Sequence, residues 1–275
     1  IQHITEQALY NAVTQYRPAR AVAILMTPST GHILALAQWP SFDPNMRTNY
    51  VSGITKCFAA TEMFEPGSTM KAISGAIALN EQVTTLDTPV YCENGAWEHF
   101  RGFVLHDDHP IGEVPFRDVI RYSSNIGIAK SLRPVDRNTY YNYLLRFGFG
   151  RRTEIALFPS ESPGLLRAPA QWSELSKVSL PMGQEIGVTA LQMLSAMATI
   201  ANGGTRVRPT IVKRVQTANG ALAPQAGQFN YFEPVVVERN VISAATAAAI
   251  TEALISVTDD DGTGALADIP GYSVA

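Results

Sequence analysis

The stretch Phe64-Glu65-Pro66-Gly67-Ser68-Thr69-Met70-Lys71, running into Ala72-Ile73-Ser74-Gly75-Ala76-Ile77-Ala78-Leu79, decides how the rest of this chain is read. Proline and glycine close the segment before Ser68, and the apolar run after it is rich in helix formers. The pattern predicts a helix over residues 68–80, with Ser68 at its N-terminus and Lys71 one turn later on the same face. A hydroxyl and an amine then share one small space. An alcohol is a poor nucleophile until a neighbouring base takes its proton, and a lysine is such a base once burial or a helix dipole lowers its pKa. A capping serine beside a solvated lysine would show the same spacing, so the surrounding sequence has to decide.

Working outward, Tyr122-Ser123-Ser124-Asn125-Ile126-Gly127 follows a short predicted helix over residues 115–121. A Ser-x-Asn at a helix end can direct one hydroxyl and one amide at a neighbouring cleft, which suits proton relay and substrate hydrogen bonding. Ser-x-x-Lys, then a Ser-x-Asn-type element, then Lys-Thr-Gly is the ordered signature of penicillin-binding proteins and class A β-lactamases. The first two are present in order, about a helical lobe apart. Residues 21–37 with Pro40-Ser41-Phe42-Asp43-Pro44-Asn45, the Ser68 segment, Arg146-Phe147-Gly148-Phe149-Gly150 and Met182-Gly183-Gln184-Glu185-Ile186-Gly187-Val188 together resemble the transpeptidase domain of class B penicillin-binding proteins. Ser-Ser-Asn-Ile-Gly is more similar to the division-type branch than to the elongation-type branch.

The resemblance implies an α+β fold of the penicillin-binding and serine β-lactamase type: an antiparallel sheet between the first and last helices, with a helical lobe inserted and Ser68 in the cleft. It implies one transpeptidase domain over residues 1–275, acting as a peptidoglycan D,D-transpeptidase on D-Ala-D-Ala stem peptides and acylated by β-lactams, with no cofactor. Ser68 is the implied nucleophile, Lys71 its base, Ser123 the proton shuttle and Asn125 the group that holds Lys71 and the acyl amide. Implied partners are a glycosyltransferase and division proteins. The implied location is the periplasmic face of the bacterial inner membrane. In the family a Lys-Thr-Gly strand comes directly after a stretch like Gly271-Tyr272-Ser273-Val274-Ala275, where this chain stops, and supplies one of two oxyanion N–H groups, the other being that of Ser68. The expectation is therefore a native protein that continues past Ala275, with a membrane anchor and a non-catalytic module before Ile1. Other readings of the same residues are a β-lactam sensor, a serine β-lactamase, or an inactive truncated scaffold.

At 275 residues and 46% hydrophobic content the chain can bury a sizeable core. A net charge of −3 with no basic patch argues against nucleic acid as a partner. No stretch approaches the ~20 apolar residues of a membrane span. Cys57 and Cys92 permit one disulfide, but two scattered cysteines more often pack as free thiols. His106-Asp107-Asp108-His109 offers four potential metal ligands; contiguous ligands rarely form one pocket, and Pro110 points to an exposed, solvated turn instead. Glu65 and Glu185 read as structural ion-pair or capping partners, Asn45 and Gln184 as scaffold. The remaining pattern predicts helices over residues 4–16, 125–132, 137–147, 189–201 and 243–257, strands over 21–26, 32–37 and 207–215, and a surface loop over 157–165.

Overall fold

A computed structural model of the chain describes residues 1–43, 45–46, 53, 55–100, 102–155, 160–213, 219, 225–226, 229–230 and 233–275. Helix α1 (Gln2–Tyr16) lies on the antiparallel hairpin of β1 (Ala21–Met26) and β2 (Ile33–Trp39). The Gln2 side chain ties them together, its amide nitrogen donating to the Leu36 carbonyl and its oxygen accepting from the Leu36 N–H, each at 2.9 Å. Next come α2 (Phe58–Thr61) and α3 (Met70–Asn80), then four short strands, β3 (Pro89–Tyr91), β4 (Ala96–Phe100), β5 (Phe103–His106) and β6 (Glu113–Pro115). Strand β3 pairs with β6 and β4 with β5, both antiparallel. Helices α4 (Phe116–Arg121), α5 (Asn125–Leu132), α6 (Arg137–Phe147), α7 (Ser176–Ser179) and α8 (Ala190–Ala201) follow, then β7 (Arg206–Val207), β8 (Gln225–Ala226), β9 (Phe229–Asn230), β10 (Val236–Glu238) and α9 (Ala244–Ile255).

The core is built around α3, in which every residue from Met70 to Ala78 is buried. A helix buried on all sides belongs at the centre of a domain. Phe116, Ile126, Leu144, Phe147 and Ile250 join the same cluster at 0% exposure, and each such side chain contributes about 1.5–3 kcal/mol of burial free energy. Gly75 lets α4 and α9 approach, since a Cβ there would meet Ile120 and Ile250 at 3.0 Å. Because α3 is sealed, its two buried polar side chains, Lys71 and Ser74, need internal partners. Ser74 has them in the Tyr140 hydroxyl at 2.8 Å and the Pro181 carbonyl at 3.0 Å.

Helix starts follow the capping chemistry of the sequence. Ser124 caps α5, Asp136 caps α6, Ser243 caps α9, and Thr189 with Gln192 forms a reciprocal capping box on α8. The structure departs from the sequence reading in four places. Ser68 lies in a 3-10 turn, Gly67–Thr69, two residues ahead of the first residue of α3 rather than in the α-helix itself. The expected central sheet is, among the described residues, the β1–β2 hairpin, with α1 against β2 and α8 against β1. The expected strand over residues 207–215 is reduced to Arg206–Val207, because Pro209 has no N–H for a ladder and Thr210 turns to donate to the Gly31 carbonyl; residues 214–215 lie outside the described set. The β3–β6 and β4–β5 pairs occupy residues 89–115, a stretch to which the sequence reading gave no element before residue 115. Of the expected loop over residues 157–165, 157–159 lie outside the described residues, and Leu165 makes a backbone bridge to Gly187.

Candidate active site

Backbone hydrogen bonds to one segment hold the turn that carries Ser68. Phe64 and Val188 exchange N–H···O bonds at 3.0 and 2.9 Å, and the Gly67 N–H donates to the Gly183 carbonyl at 3.1 Å. The Glu185 N–H donates to the Glu65 carboxylate at 2.9 Å, while the Glu185 carboxylate accepts from the Ser176 hydroxyl at 2.7 Å and from the Ser179 hydroxyl. Glu65 and Glu185 are thus hydrogen-bonding struts of the Ser68 turn, not an ion pair. Gln184 donates its N–H to the Ser179 carbonyl at 3.0 Å, and Asn45 stays local, donating to Asp43.

Ser68 is exposed, whereas Lys71 is only 3% exposed. Both line a cavity of about 550 Å³, together with Ser123, Val22 and Ile24 of β1, and apolar side chains of α8 and α9. The Ser68 hydroxyl makes no hydrogen bond among the described residues. The Lys71 amine donates to the Ser123 hydroxyl at 2.9 Å and to the Ser123 carbonyl. Ser123 adopts φ +55, a left-handed conformation uncommon outside glycine, and in it both oxygens of one residue meet the amine. Burial pushes the Lys71 ammonium down to about 8, against the opposing pull of the Asp107 and Asp108 carboxylates. A neutral amine has two N–H bonds and one lone pair. With two donors committed to Ser123, the lone pair remains for a proton from elsewhere in the cavity.

Asn125 is placed differently from the expectation. Its side-chain nitrogen donates to the His106 carbonyl at 2.8 Å and not to Lys71, and it lies outside the cavity lining that Ser123 joins. The residue that organises this corner is Asp107, which the sequence reading left in a solvated turn. Its carboxylate accepts from the Ser124 hydroxyl at 2.6 Å and from the N–H groups of Asn125 and Ile126 at 2.6 and 3.0 Å. A negative charge at the N-terminus of α5 satisfies open N–H donors and is favoured by the dipole. The turn after β5 is exposed at His106, Asp108, His109 and Pro110, as expected, but Asp107 within it is half-buried and supports the Ser123 segment. No nearby sequence signal marks it, because Asp107 and Asn125 are brought together only by the β4–β5 hairpin. Among the described residues no group of three or more His, Cys, Asp or Glu side chains is arranged to hold a metal ion, and Cys57 and Cys92 are both free thiols.

Asp107→Ala removes the acceptor shared by Ser124, Asn125 and Ile126. The expected outcome is a stability loss of about 1–2 kcal/mol, as for a lost N-cap, read by thermal or urea unfolding. A mutant as stable as the parent would show that Asp107 is dispensable to this corner.

A family model described as the penicillin binding protein transpeptidase domain matches residues 21–275. Over 285 residues the chain is 30% identical to penicillin-binding protein PbpB of Mycobacterium tuberculosis, covering 100% of this chain and 40% of that protein. It is 28% identical over 281 residues to the probable peptidoglycan D,D-transpeptidase PbpC of Pseudomonas aeruginosa, covering 100% and 45%. The crystal structure of penicillin binding protein 3 from M. tuberculosis complexed with aztreonam superposes with a TM-score of 0.86 at 29% identity, over 98% of this chain and 60% of that one. The chain thus spans less than half the length of these two curated relatives.

Proposed function

This chain belongs to the penicillin-binding protein transpeptidase domain family, and from that premise we propose that it is a serine D,D-transpeptidase acting on peptidoglycan stem peptides, with Ser68 as nucleophile and Lys71 as base. The observation that carries the reading is the buried Lys71 amine, lowered to about 8 and held by Ser123 in the cavity that Ser68 also lines. Lys71 takes the Ser68 proton as the oxygen attacks the carbonyl between two terminal D-alanines, forming a C–O bond. The tetrahedral adduct collapses with cleavage of the C–N bond. The departing nitrogen receives a proton through the Ser123 hydroxyl, the group that already touches the Lys71 amine. An amine from a second stem then attacks the ester carbonyl, forming the new C–N bond as the C–O bond to Ser68 breaks, and the proton this amine loses passes through Lys71 to the Ser68 oxygen. Asn125, whose side-chain oxygen has no hydrogen bond among the described residues, is proposed to hold the acyl-chain amide from just outside the cavity lining.

Among the described residues that line the cavity there is no aspartate, glutamate or histidine. A β-lactamase needs a group that activates water against the acyl-enzyme, so this lining supports a long-lived ester, resolved by an amine, over rapid hydrolysis. β-Lactams acylate Ser68 on the same logic, and the aztreonam complex of the M. tuberculosis penicillin binding protein 3 supports extending β-lactam binding to this chain. The same kinship supports an extracytoplasmic site of action in septal wall synthesis, beside a glycosyltransferase and division proteins, with a membrane anchor elsewhere in the protein. Among the described residues no helix is long and apolar enough to cross a membrane.

The test is incubation with a fluorescent penicillin followed by peptide mass spectrometry. A stable adduct on the Ser68 peptide is expected. Absence of label in a demonstrably folded protein, or label on another residue, would sink the assignment. The pH profile gives a second check. Because the neutral amine is the active form, the acylation rate below pH 8 should rise about tenfold per pH unit and level off above it. At pH 7 about one amine in ten is then neutral. A profile that is flat between pH 6 and 8 would remove Lys71 from the role of base.

A further inference from the structure

A second cavity, of about 230 Å³, lies in the helical lobe and shares no lining residue with the one that holds Ser68. Rings dominate it. Trp97 and His99 of β4 have centroids 4.5 Å apart, and Trp172 packs edge-on against Tyr140 at 6.4 Å. Leu132, Val135 and Val178 add an apolar lining. Over these surfaces stand three cationic side chains, Arg133, Arg137 and Lys177, against one carboxylate, Glu174.

Glu174 is already engaged, by Arg137 and by Lys177 at 3.1 Å, and Arg137 also donates to the Trp172 carbonyl at 3.3 Å. The Arg133 guanidinium has no hydrogen bond or ion pair among the described residues, although it lines the same cavity. Burial and then the Arg133 charge push the His99 imidazole below its usual range, so at neutral pH it adds a ring and no charge. A chain whose net charge is −3 thus gathers an unpaired guanidinium above a ring-lined hollow. Guanidinium is the side chain best matched to a carboxylate, through two parallel N–H bonds. Pockets that bind small molecules set aromatic and aliphatic side chains beside polar groups that orient the ligand; here the two kinds share the lining. The volume falls below the ~300–1,000 Å³ usual for drug-sized ligands, which restricts the occupant to roughly one ring and its anionic group.

We propose that this cavity binds a small ring-bearing carboxylate, with Arg133 taking the anion and Trp97 and Trp172 flanking the ring. Tryptophan fluorescence reads the site directly, because two of the three tryptophans line it and the third, Trp39 on β2, can be replaced by phenylalanine in the background protein. The probe is benzoate, with benzamide as its neutral isostere. Saturable quenching by benzoate is expected, with benzamide weaker by about tenfold or more, the worth of one charge-assisted hydrogen bond. Arg133→Gln, at an exposed position and therefore expected to melt with the parent, should weaken benzoate binding by a similar factor. Equal affinity for benzamide, an unaltered affinity in Arg133→Gln, or no saturable change would each overturn the proposal. None of these readings depends on acylation of Ser68.

Discussion

Lys71→Arg is expected to lower the rate of acylation by β-lactams by about three orders of magnitude, within the 10²–10⁴ range attributed to a positioned general base. The substitution keeps a cation in the first turn of α3 but removes the chemistry, because a guanidinium does not give up its proton near neutral pH. Lysine can serve here because burial lowers its ammonium to about 8. Arginine in the same place stays charged, and presents a planar fork where lysine sets one nitrogen against both Ser123 oxygens. Lys71→Met separates size from charge: it is unbranched, fills much of the same volume and relieves the desolvation of a buried amine, yet offers no lone pair. The Met variant is expected to melt within a few degrees of the parent and to lose acylation to the same extent as the Arg variant. Stopped-flow or gel-based labelling across the pH range measures both. If either variant acylated within tenfold of the parent, Lys71 would not be the base, and its contacts with Ser123 would be structural only.

Gly183→Ala should be comparably damaging without touching any group that reacts. Gly183 sits at φ +78, and a Cβ there would stand 2.2 Å from the Gly67 carbonyl oxygen and 2.6 Å from its nitrogen. Those atoms are backbone, so nothing flexible can give way. Gly67 immediately precedes Ser68 and donates its N–H to the Gly183 carbonyl at 3.1 Å. The Ser68 turn must therefore move by about an ångström, a displacement that can cost on the order of 10²-fold in rate, on top of about 1–2 kcal/mol for alanine in a left-handed conformation. The matched control is Gly67→Ala. Gly67 also has positive φ, at +56, but its Cβ would meet nothing within 4 Å. It should carry the conformational penalty alone and lose far less activity. Equal losses in the two variants would mean that backbone strain, not the close approach of the two segments, governs the Ser68 turn.

These expectations rest on features of unequal legibility. The helix carrying Lys71 was plain in the sequence because its signals are local: a Pro-Gly break, then an unbroken apolar run. The starts of α5, α6, α8 and α9 were equally plain, since Ser124, Asp136, Thr189 and Ser243 cap within three residues of themselves. The β4–β5 pair was less so. Phe103-Val104-Leu105-His106 is a short apolar run that period alone does not separate from helix, and it lies in a region where helical patterns surround it.

Sequence alone determined the residue types, their order and the local geometry that puts Ser68 and Lys71 one turn apart, because helix period and capping act over three or four residues. It also carried the resemblance through which the family was recognised. Only the tertiary structure decided that the Lys71 amine spends its donors on Ser123 and not on Asn125. Only it placed Asp107 under the N-terminus of α5, and Gly183 against Gly67. Each of these joins segments separated by many residues, and such contacts are fixed by how the core closes around α3. What a side chain is became legible one residue at a time; what it faces, and hence its charge state and chemistry, was settled by packing.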